Sequence, residues 1–158
     1  MMIFPARKDA TLGKQAVYGK VLTLIASTLL LTACSGSLPN NLGVADGRFS
    51  ACPDKPNCVN SQASDDEHRI APLPLPKGDA LATLKNVIEA QPRTAIVSQS
   101  DNYLHVTFTS ALMRFVDDVE FFITPQHIEV RSASRLGHSD LGVNRERVET
   151  LRNALLAE

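Results

Sequence analysis

The chain has 158 residues, of which 44% are hydrophobic and 21% are charged, and its formal net charge is −1. This length suits one domain around one hydrophobic core. The near balance of charges and the lack of a basic run argue against nucleic acid as a partner, because binding a phosphate backbone requires clustered Lys and Arg.

The N-terminal segment has the charge and hydropathy order of an export signal. It contains four basic residues and then an apolar stretch over 21–33; the basic residues are Arg7, Lys8, Lys14 and Lys20. A helix of about 13 residues spans roughly 20 Å, short of the roughly 30 Å hydrocarbon core of a bilayer, so a permanent transmembrane helix is disfavoured. We therefore predict that residues 1–33 are a signal peptide.

The stretch Leu31-Thr32-Ala33-Cys34 resembles the lipobox of bacterial lipoprotein signal peptides. In that family the cysteine thiol receives a diacylglycerol and the chain is cut before it, which implies a membrane-bound lipoprotein that begins at Cys34. Anchoring by two or more acyl chains is stable. Because Ser35 rather than Asp follows the cysteine, the resemblance favours the outer membrane of the cell envelope, with the domain facing the periplasm. The alternative is an ordinary signal peptide with an incidental cysteine.

Cleavage before Cys34 would remove four basic residues and one acidic residue, leaving 12 Lys and Arg against 16 Asp and Glu, a formal charge of −4. Residues 34–51 are rich in Gly, Pro and Asn, which predicts a flexible tether that reaches about 50 Å at most. We expect a single domain over 52–158.

Cys52 and Cys58 follow the tether and lie six residues apart. In an exported protein such a pair is a disulfide by default. A zinc site would need further ligands, and His68 is the only histidine nearby, while a redox pair would have Cys-x-x-Cys spacing. We therefore predict a structural disulfide, no metal site and no cofactor.

A proline-rich segment and a helix come next. Pro72, Pro74 and Pro76 favour an extended conformation, which is either a stiff connector or a docking ligand for a partner. Asp79 caps a predicted helix that ends before Pro92. The apolar residues on one face of this helix are Leu81, Leu84, Val87 and Ile88.

Strands occupy most of the remaining sequence, and a last helix closes the chain. Four strands are predicted over 93–98, 103–109, 114–124 and 127–134, with short links that favour antiparallel hairpins. The last helix begins at Asp140 or Asn144 and turns Val148, Leu151 and Leu155 inward. The predicted fold is α+β: a four-stranded, mainly antiparallel sheet with two helices packed on one face, in the order α-β-β-β-β-α, preceded by the disulfide loop.

Turns at 99–102 and 110–113 would determine which side chains share a face of the sheet. The predicted opposed pairs on the apolar face are Val97 with Leu104, Phe108 with Phe115, Leu104 with Val119, Phe121 with Val130 and Ile123 with Ile128. The opposite face would carry Tyr103, His105, Thr107, Asp118, Glu120, Arg131 and Arg135. On it, Glu120 lies across from Arg131, and His105 lies across from Asp118.

This polar face has two interpretations. It is either a solvated surface whose opposite charges pair, each pair contributing at most about 1 kcal/mol, or a ligand surface. In the second case Arg131 and Arg135 offer forked donors to a carboxylate or phosphate, while Asp118 and Glu120 hold them in position.

Asp117 is unusual because strand parity places it among apolar side chains. An ionised carboxylate is costly there unless it finds donors such as Ser134, Arg114 or backbone amides. A β-bulge at Asp117 and Asp118 would instead turn both side chains outward.

The segment 131–147 has two glycines and several capping residues before the last helix. It predicts a shaped loop at a helix start, where an anion can bind and where Asn144 and Arg145 would contribute. The alternative is a turn whose side chains satisfy local backbone groups.

Several short motifs extend from Cys52 to the C-terminus. They are Cys52-Pro53, Pro56-Asn57-Cys58-Val59-x-Ser61, Arg114-Phe115-Val116-Asp117-Asp118-Val119-Glu120-Phe121 and Val130-Arg131-Ser132-Ala133-Ser134-Arg135, followed by Gly137, Ser139-Asp140, Gly142 and Asn144-Arg145. Together they resemble the family called domain of unknown function 1499. The resemblance implies an exported, often lipid-anchored bacterial protein, and it implies no activity.

Two functions follow as hypotheses. The first is a non-enzymatic module that binds an anionic small molecule, a lipid headgroup or an envelope protein through the region of Arg131, Arg135 and Arg145. The second is a hydrolase, with or without a metal, whose acid, base or ligand groups are Asp117, Asp118 and Glu120.

Overall fold

The computed structural model describes residues 36–158. The predicted signal peptide and the predicted lipidation site at Cys34 lie outside the described residues. The elements in chain order are strand β1 (Cys58–Asn60), strand β2 (Leu73–Pro74), helix α1 (Ala80–Glu89), strands β3 (Thr94–Gln99), β4 (Tyr103–Thr109), β5 (Val116–Ile123) and β6 (His127–Ser134), and helix α2 (Val143–Leu156). Neither of these helices is long and apolar enough to cross a membrane.

Helix α1 begins at the predicted cap, Asp79, whereas helix α2 begins at Val143 and not at Asp140 or Asn144 as predicted. The Asp79 carboxylate accepts a hydrogen bond of 3.0 Å from the Ala82 amide, which satisfies one of the free donors at the start of α1. At α2 the cap position is Gly142, but Asp140 supplies the bonds, accepting from the amides of Gly142 (3.0 Å) and Asn144 (2.7 Å). The acidic residue therefore caps α2 from outside the helix.

The sheet has five strands in the order β1-β6-β5-β4-β3, and the two-residue β2 pairs with the same edge of β6 as β1 does. All of these pairings are antiparallel. The prediction of an antiparallel α+β fold with two helices is confirmed, but the prediction of four strands is wrong. β1 is only three residues long and has no extended apolar alternation, so its strand geometry comes from pairing with β6 and from the adjacent Cys52–Cys58 disulfide, which is formed as predicted.

The predicted pairing of β5 with β6 is confirmed. Phe121 pairs with Val130, Ile123 pairs with Ile128, and Glu120 pairs with Arg131. The register runs without interruption through Asp117 and Asp118, so these residues form no bulge.

The predicted pairing of β4 with β5 is wrong by two residues. The predicted partners were Phe108 with Phe115, Leu104 with Val119 and His105 with Asp118; the observed partners are Phe108 with Asp117, Leu104 with Phe121 and His105 with Glu120. The physical reason is a longer loop, 110–115, which is closed by a hydrogen bond from the Ser110 amide to the Phe115 carbonyl and contains Arg114 in the left-handed conformation (φ 57°).

The β3–β4 pairing contains an irregularity that strand alternation did not predict. The register shifts between Ile96 and Ser98, so Val97 is left out of the ladder and is 46% exposed. The predicted pair of Val97 with Leu104 is therefore wrong, and Gln99 lies opposite Leu104. An extra residue in one strand is a β-bulge, which re-aims its side chain without ending the strand.

One hydrophobic core lies between the sheet and the two helices. Leu84, Val87 and Ile88 of α1 and Val148, Leu151 and Leu155 of α2 pack in one cluster with the apolar side chains of the sheet. These are the inward-facing positions that the helical periodicity predicts. Both helices therefore cover the same face and leave the polar face to be covered by something else.

Residues 36–51, predicted as tether, cover that second face. The Gly43 amide donates a hydrogen bond of 2.6 Å to Glu120, and the Phe49 amide donates one of 2.9 Å to the side chain of Gln62. Phe49 is itself buried. This part of the chain is therefore fastened to the domain, and we call residues 36–53 the N-terminal strap.

Candidate functional site

The polar face of the sheet is buried beneath the strap. We call its side chains the polar-face network: Tyr103, His105, Asp118, Glu120, Arg131 and Arg135. Four of these residues, His105, Asp118, Glu120 and Arg131, are at most 3% exposed. The face is therefore not the solvated surface that was one of its two interpretations, and its charges need partners inside the protein.

Glu120 is the centre of one half of the network. Its carboxylate accepts hydrogen bonds from Arg131 Nη1 (3.1 Å), the Tyr103 hydroxyl (2.8 Å) and the Gly43 amide (2.6 Å). Burial, and then the negative charge and hydrogen bond of Glu120, raise the pKa of Tyr103 well above its usual range. The tyrosine hydroxyl consequently stays protonated and donates to Glu120.

Asp118 is the centre of the other half. Arg135 donates to its two carboxylate oxygens from Nε (2.7 Å) and Nη2 (2.8 Å), and His105 Nε2 lies 2.8 Å from Oδ1. Burial is the largest single influence on the pKa of Asp118 and raises it. The hydrogen bonds and positive charge of Arg135 and His105 together outweigh burial, so the net effect is a lowered pKa. The sequence predicted that His105 lies opposite Asp118, and the two do touch, although diagonally rather than as register partners.

The lowered pKa of Asp118 predicts a pH dependence of stability. A carboxyl whose pKa is lower in the folded than in the unfolded protein stabilises the fold above the unfolded value of about 3.9, and this contribution is lost as the pH falls through the folded pKa. We therefore expect the free energy of unfolding, measured by urea denaturation from about pH 6 to about pH 2, to fall less steeply in Asp118→Asn than in the wild type. Parallel curves for the two proteins would contradict this assignment.

A cavity of about 260 Å³ lies between the strap and the polar face, and we call it the Arg131 cavity. Its lining includes Pro39, Asn41 and Cys52 from the strap and Asp118, Arg131 and Ala133 from the sheet. The Arg131 side chain is only 4% exposed, yet its Nε has no hydrogen-bond partner among residues 36–158. Buried donors are nearly always satisfied, so this one requires an explanation.

Asp117 belongs to a different part of the molecule. It lies on the core face as parity predicts, but its donor is none of the predicted ones: Arg147 Nη2 of helix α2 donates to it at 2.5 Å. The same guanidinium donates from Nη1 to Ser132 (3.0 Å) and Asn144 (2.5 Å) and lies 4.7 Å from the centre of the Phe108 ring. Arg147 is thus paired with a carboxylate, stacked on an aromatic ring and mostly buried at one end of the core.

Asn144 and Arg145 hold neighbouring parts of the chain together. Asn144 is 1% exposed; its amide group donates to the Asn57 carbonyl (3.0 Å), the Ser134 hydroxyl (3.0 Å) and Asp140 (2.8 Å). Arg145 reaches in another direction and donates to the carbonyls of Arg69 and Glu67, both at 2.8 Å. Asn57 lies 87 residues from Asn144, and Arg69 and Glu67 lie 76 and 78 residues from Arg145, so both side chains join parts of the chain that are distant in sequence and do not only satisfy a local turn.

The predicted site residues therefore separate into three places. Asp118, Glu120, Arg131 and Arg135 come together on the polar face, Asp117 and Asn144 meet through Arg147 on the core face, and Arg145 lies apart from both. Within the described part of the chain, no group of three or more His, Cys, Asp or Glu side chains is arranged to hold a metal ion.

Two contributors were missed from the sequence. Arg147 lies three residues after Asn144 and four before Leu151, which is the spacing of one helix face. Helical periodicity could therefore have predicted that its side chain points inward. Gly43 carried no such signal, because it binds Glu120 through its backbone and lies 77 residues away from it.

Comparison with known proteins identifies the domain. No curated protein matches the chain. A family model described as "Protein of unknown function (DUF1499)" matches residues 48–155, which include every strand, helix α1 and all of helix α2 except its last residue. The match covers more than half of the chain and includes both the polar-face network and the contacts of Asn144. The chain therefore belongs to the DUF1499 family of proteins of unknown function.

Proposed function

We propose that this protein is a lipid-anchored, non-enzymatic module of the bacterial cell envelope, held at the outer membrane and facing the periplasm, that binds a small anionic group in the Arg131 cavity. The observation that carries the binding site is the buried, unpartnered Nε of Arg131, a residue that lines that cavity. Anchorage is supported by the lipobox-like stretch Leu31-Thr32-Ala33-Cys34.

The charges around the cavity favour a small group that needs only one strong donor. Glu120 offsets the charge of Arg131, and Asp118 offsets that of Arg135, so no unpaired cation remains to attract a large polyanion. The Nε–H of Arg131 has no acceptor among residues 36–158 and is free to donate. A carboxylate or phosphate oxygen is a stronger acceptor for it than a neutral carbonyl, because a hydrogen bond with two charged partners is shorter and stronger.

The direct test is to observe the free donor itself. In ¹⁵N-labelled protein, we expect the Arg131 Nε–H resonance to shift saturably when inorganic phosphate or acetate is added, at constant pH and ionic strength. The side-chain resonance of Arg152 is a control, because its Nε already donates to Glu149 at 2.8 Å. If neither anion moves the Arg131 resonance more than the Arg152 resonance, the binding proposal is wrong.

A matched pair of substitutions locates the binding in the cavity. Asn40 and Asn41 are both exposed, but only Asn41 lines the Arg131 cavity. We expect Asn41→Leu to weaken the anion-dependent shift and Asn40→Leu to leave it unchanged. Equal behaviour of the two variants would mean that the anion binds elsewhere.

Lipid attachment has its own test. Replacing Cys34 with Ala removes the thiol that would carry the diacylglycerol, so we expect the variant to move from the detergent phase to the aqueous phase, or to accumulate as unprocessed precursor. The measurement is phase partitioning of the full chain, with Cys52→Ala and Cys58→Ala together as a control that should still partition with detergent. Unchanged partitioning of Cys34→Ala would refute lipidation at this residue.

The alternative function, a hydrolase that uses Asp117, Asp118 and Glu120, has no comparable observation in its favour. Asp117 lies on the opposite face of the sheet from the other two carboxylates, and each of the three is paired with an arginine. A general base needs an unshared lone pair near its substrate, and both carboxylate oxygens of Asp118 and of Glu120 already accept hydrogen bonds.

A further inference from the structure

Exposed apolar side chains are concentrated at one end of the domain. The loop 110–115 and the loop from β6 to the start of α2 together present Leu112, Met113, Phe115, Leu136, Leu141 and Val143, which we call the apolar rim. Leu112 is 87% and Leu141 is 94% exposed. At the opposite end of the sheet, the turns 100–102 and 124–126 carry mainly polar residues.

Hydrogen bonds and a shared cleft show that the two loops of the rim are neighbours. The Arg135 amide donates to the Val116 carbonyl at 3.1 Å, which joins the end of β6 to the start of β5. Ala111 of one loop and Val143 at the start of α2 also line the same cleft of about 470 Å³. The six apolar side chains therefore belong to one end of the molecule, where an apolar patch marks an interaction surface more often than a lone exposed leucine does.

Leu141 shows that this exposure is built into the backbone. Its φ of 57° lies in the left-handed region, which a leucine rarely adopts, and the following residue, Gly142, is also left-handed. A strained backbone that holds a large apolar side chain in solvent is typical of a functional surface, since the surrounding structure must compensate for the strain.

The N-terminus of the described chain lies at the same end. Gly36 packs so closely against the end of β6 that a Cβ atom on it would come within 3.0 Å of Arg135 Cβ and 3.2 Å of Leu136 Cγ. Only Ser35 separates Gly36 from Cys34, and two residues of extended chain reach about 7 Å. Any acyl chain attached to Cys34 is therefore held close to the rim by the length of the chain.

We propose that the apolar rim contacts the lipid bilayer and inserts its side chains into the interface, so that the domain lies on the membrane in one orientation. This inference rests on the lipid anchorage proposed above. The exposed residues Arg93 and Arg114 border the rim, with Arg93 held against the Thr109 carbonyl at 3.0 Å. Two cations beside an apolar patch suit an anionic lipid surface, although the mature chain as a whole is acidic.

The chain contains no tryptophan, so a single introduced tryptophan reports its own position. The full chain is reconstituted into vesicles of phosphatidylethanolamine and phosphatidylglycerol whose acyl chains are brominated, because bromine quenches only tryptophan that reaches the hydrocarbon. We expect the emission of Leu112→Trp and of Leu141→Trp to shift to the blue and to fall about twofold or more, since interfacial apolar groups are buried about 5–10 Å deep. The matched control is Gln126→Trp, in the exposed turn at the opposite end, which should respond to aqueous acrylamide and not to bromine.

Each other outcome identifies a different error. If the protein does not float with the vesicles, lipid anchorage is wrong and this inference fails with it. If it floats but the rim variants and Gln126→Trp are quenched equally, anchorage stands and the orientation is wrong. If the rim variants are protected from acrylamide but not quenched by bromine, a protein segment or a second copy of the chain covers the rim, and the bilayer does not.

Discussion

Replacing Glu120 with Ala is expected to lower the free energy of unfolding by about 3–5 kcal/mol, because it leaves the buried guanidinium of Arg131 without its carboxylate. Glu120 is 0% exposed, so water cannot take the place of the lost partner. The Tyr103 hydroxyl and the Gly43 amide lose their acceptor at the same time. Urea denaturation at neutral pH measures the change.

Two control variants separate the ion pair from its surroundings. Tyr103→Phe removes a single hydrogen bond at a half-buried hydroxyl and should cost only about 1 kcal/mol. The double variant Glu120→Met with Arg131→Met removes both charges and should recover much of the stability lost in Glu120→Ala, because no unpaired charge remains. A loss below about 1 kcal/mol in Glu120→Ala would mean that this face is solvated and that the strap does not cover it.

Asn144→Ala, on the other side of the sheet, should lower the free energy of unfolding by about 3 kcal/mol, since several buried partners lose a hydrogen bond together. These partners include the Asn57 carbonyl just before β1, the Ser132 hydroxyl in β6 and the Arg147 guanidinium in α2. The measurement is a thermal or urea melt of the purified variant.

Arg145→Ala is the matched control, because this residue follows Asn144 in the same helical turn and also donates hydrogen bonds to backbone carbonyls. Its bonds to Arg69 and Glu67 are exposed, so water can replace them and the loss should be about 1 kcal/mol or less. If the two variants were equally stable, Asn144 would not join the elements in the way described.

The sequence could predict which side chains lie on each face of the sheet, because an error of two residues in the strand register does not change the face. Side chains alternate with a period of two along a strand, so the shift that gave His105 the wrong partner left it on the correct face. The shift itself was unpredictable, since it depends on Arg114 adopting a left-handed backbone conformation that its side chain does not favour. Likewise β1 becomes a strand only because the edge of β6 is available to pair with Cys58–Asn60.

The candidate site was predictable only where its contacts lie between neighbouring strands. Glu120 and Arg131 are opposed in a hairpin, and the sequence alone leads to that pair. The sequence did not predict that residues 36–51 cover this pair, because this segment has the composition of a linker. It contacts the sheet mainly through backbone groups, and such contacts do not depend on the pattern of side chains. The Arg147–Asp117 pair was missed because it joins a helix to a strand 30 residues away.

The close packing of Gly36 against Arg135 and Leu136 changes how far the domain can travel from a lipid on Cys34. A free linker over 34–51 would let it sweep a hemisphere about 50 Å in radius, whereas two residues allow only about 7 Å. If Cys34 carries the proposed lipid, such a domain would search for partners in two dimensions, by lateral diffusion within one leaflet. A soluble molecule would then have to come to the bilayer to meet it, and a protein of an opposing membrane could do so only by extending across the gap.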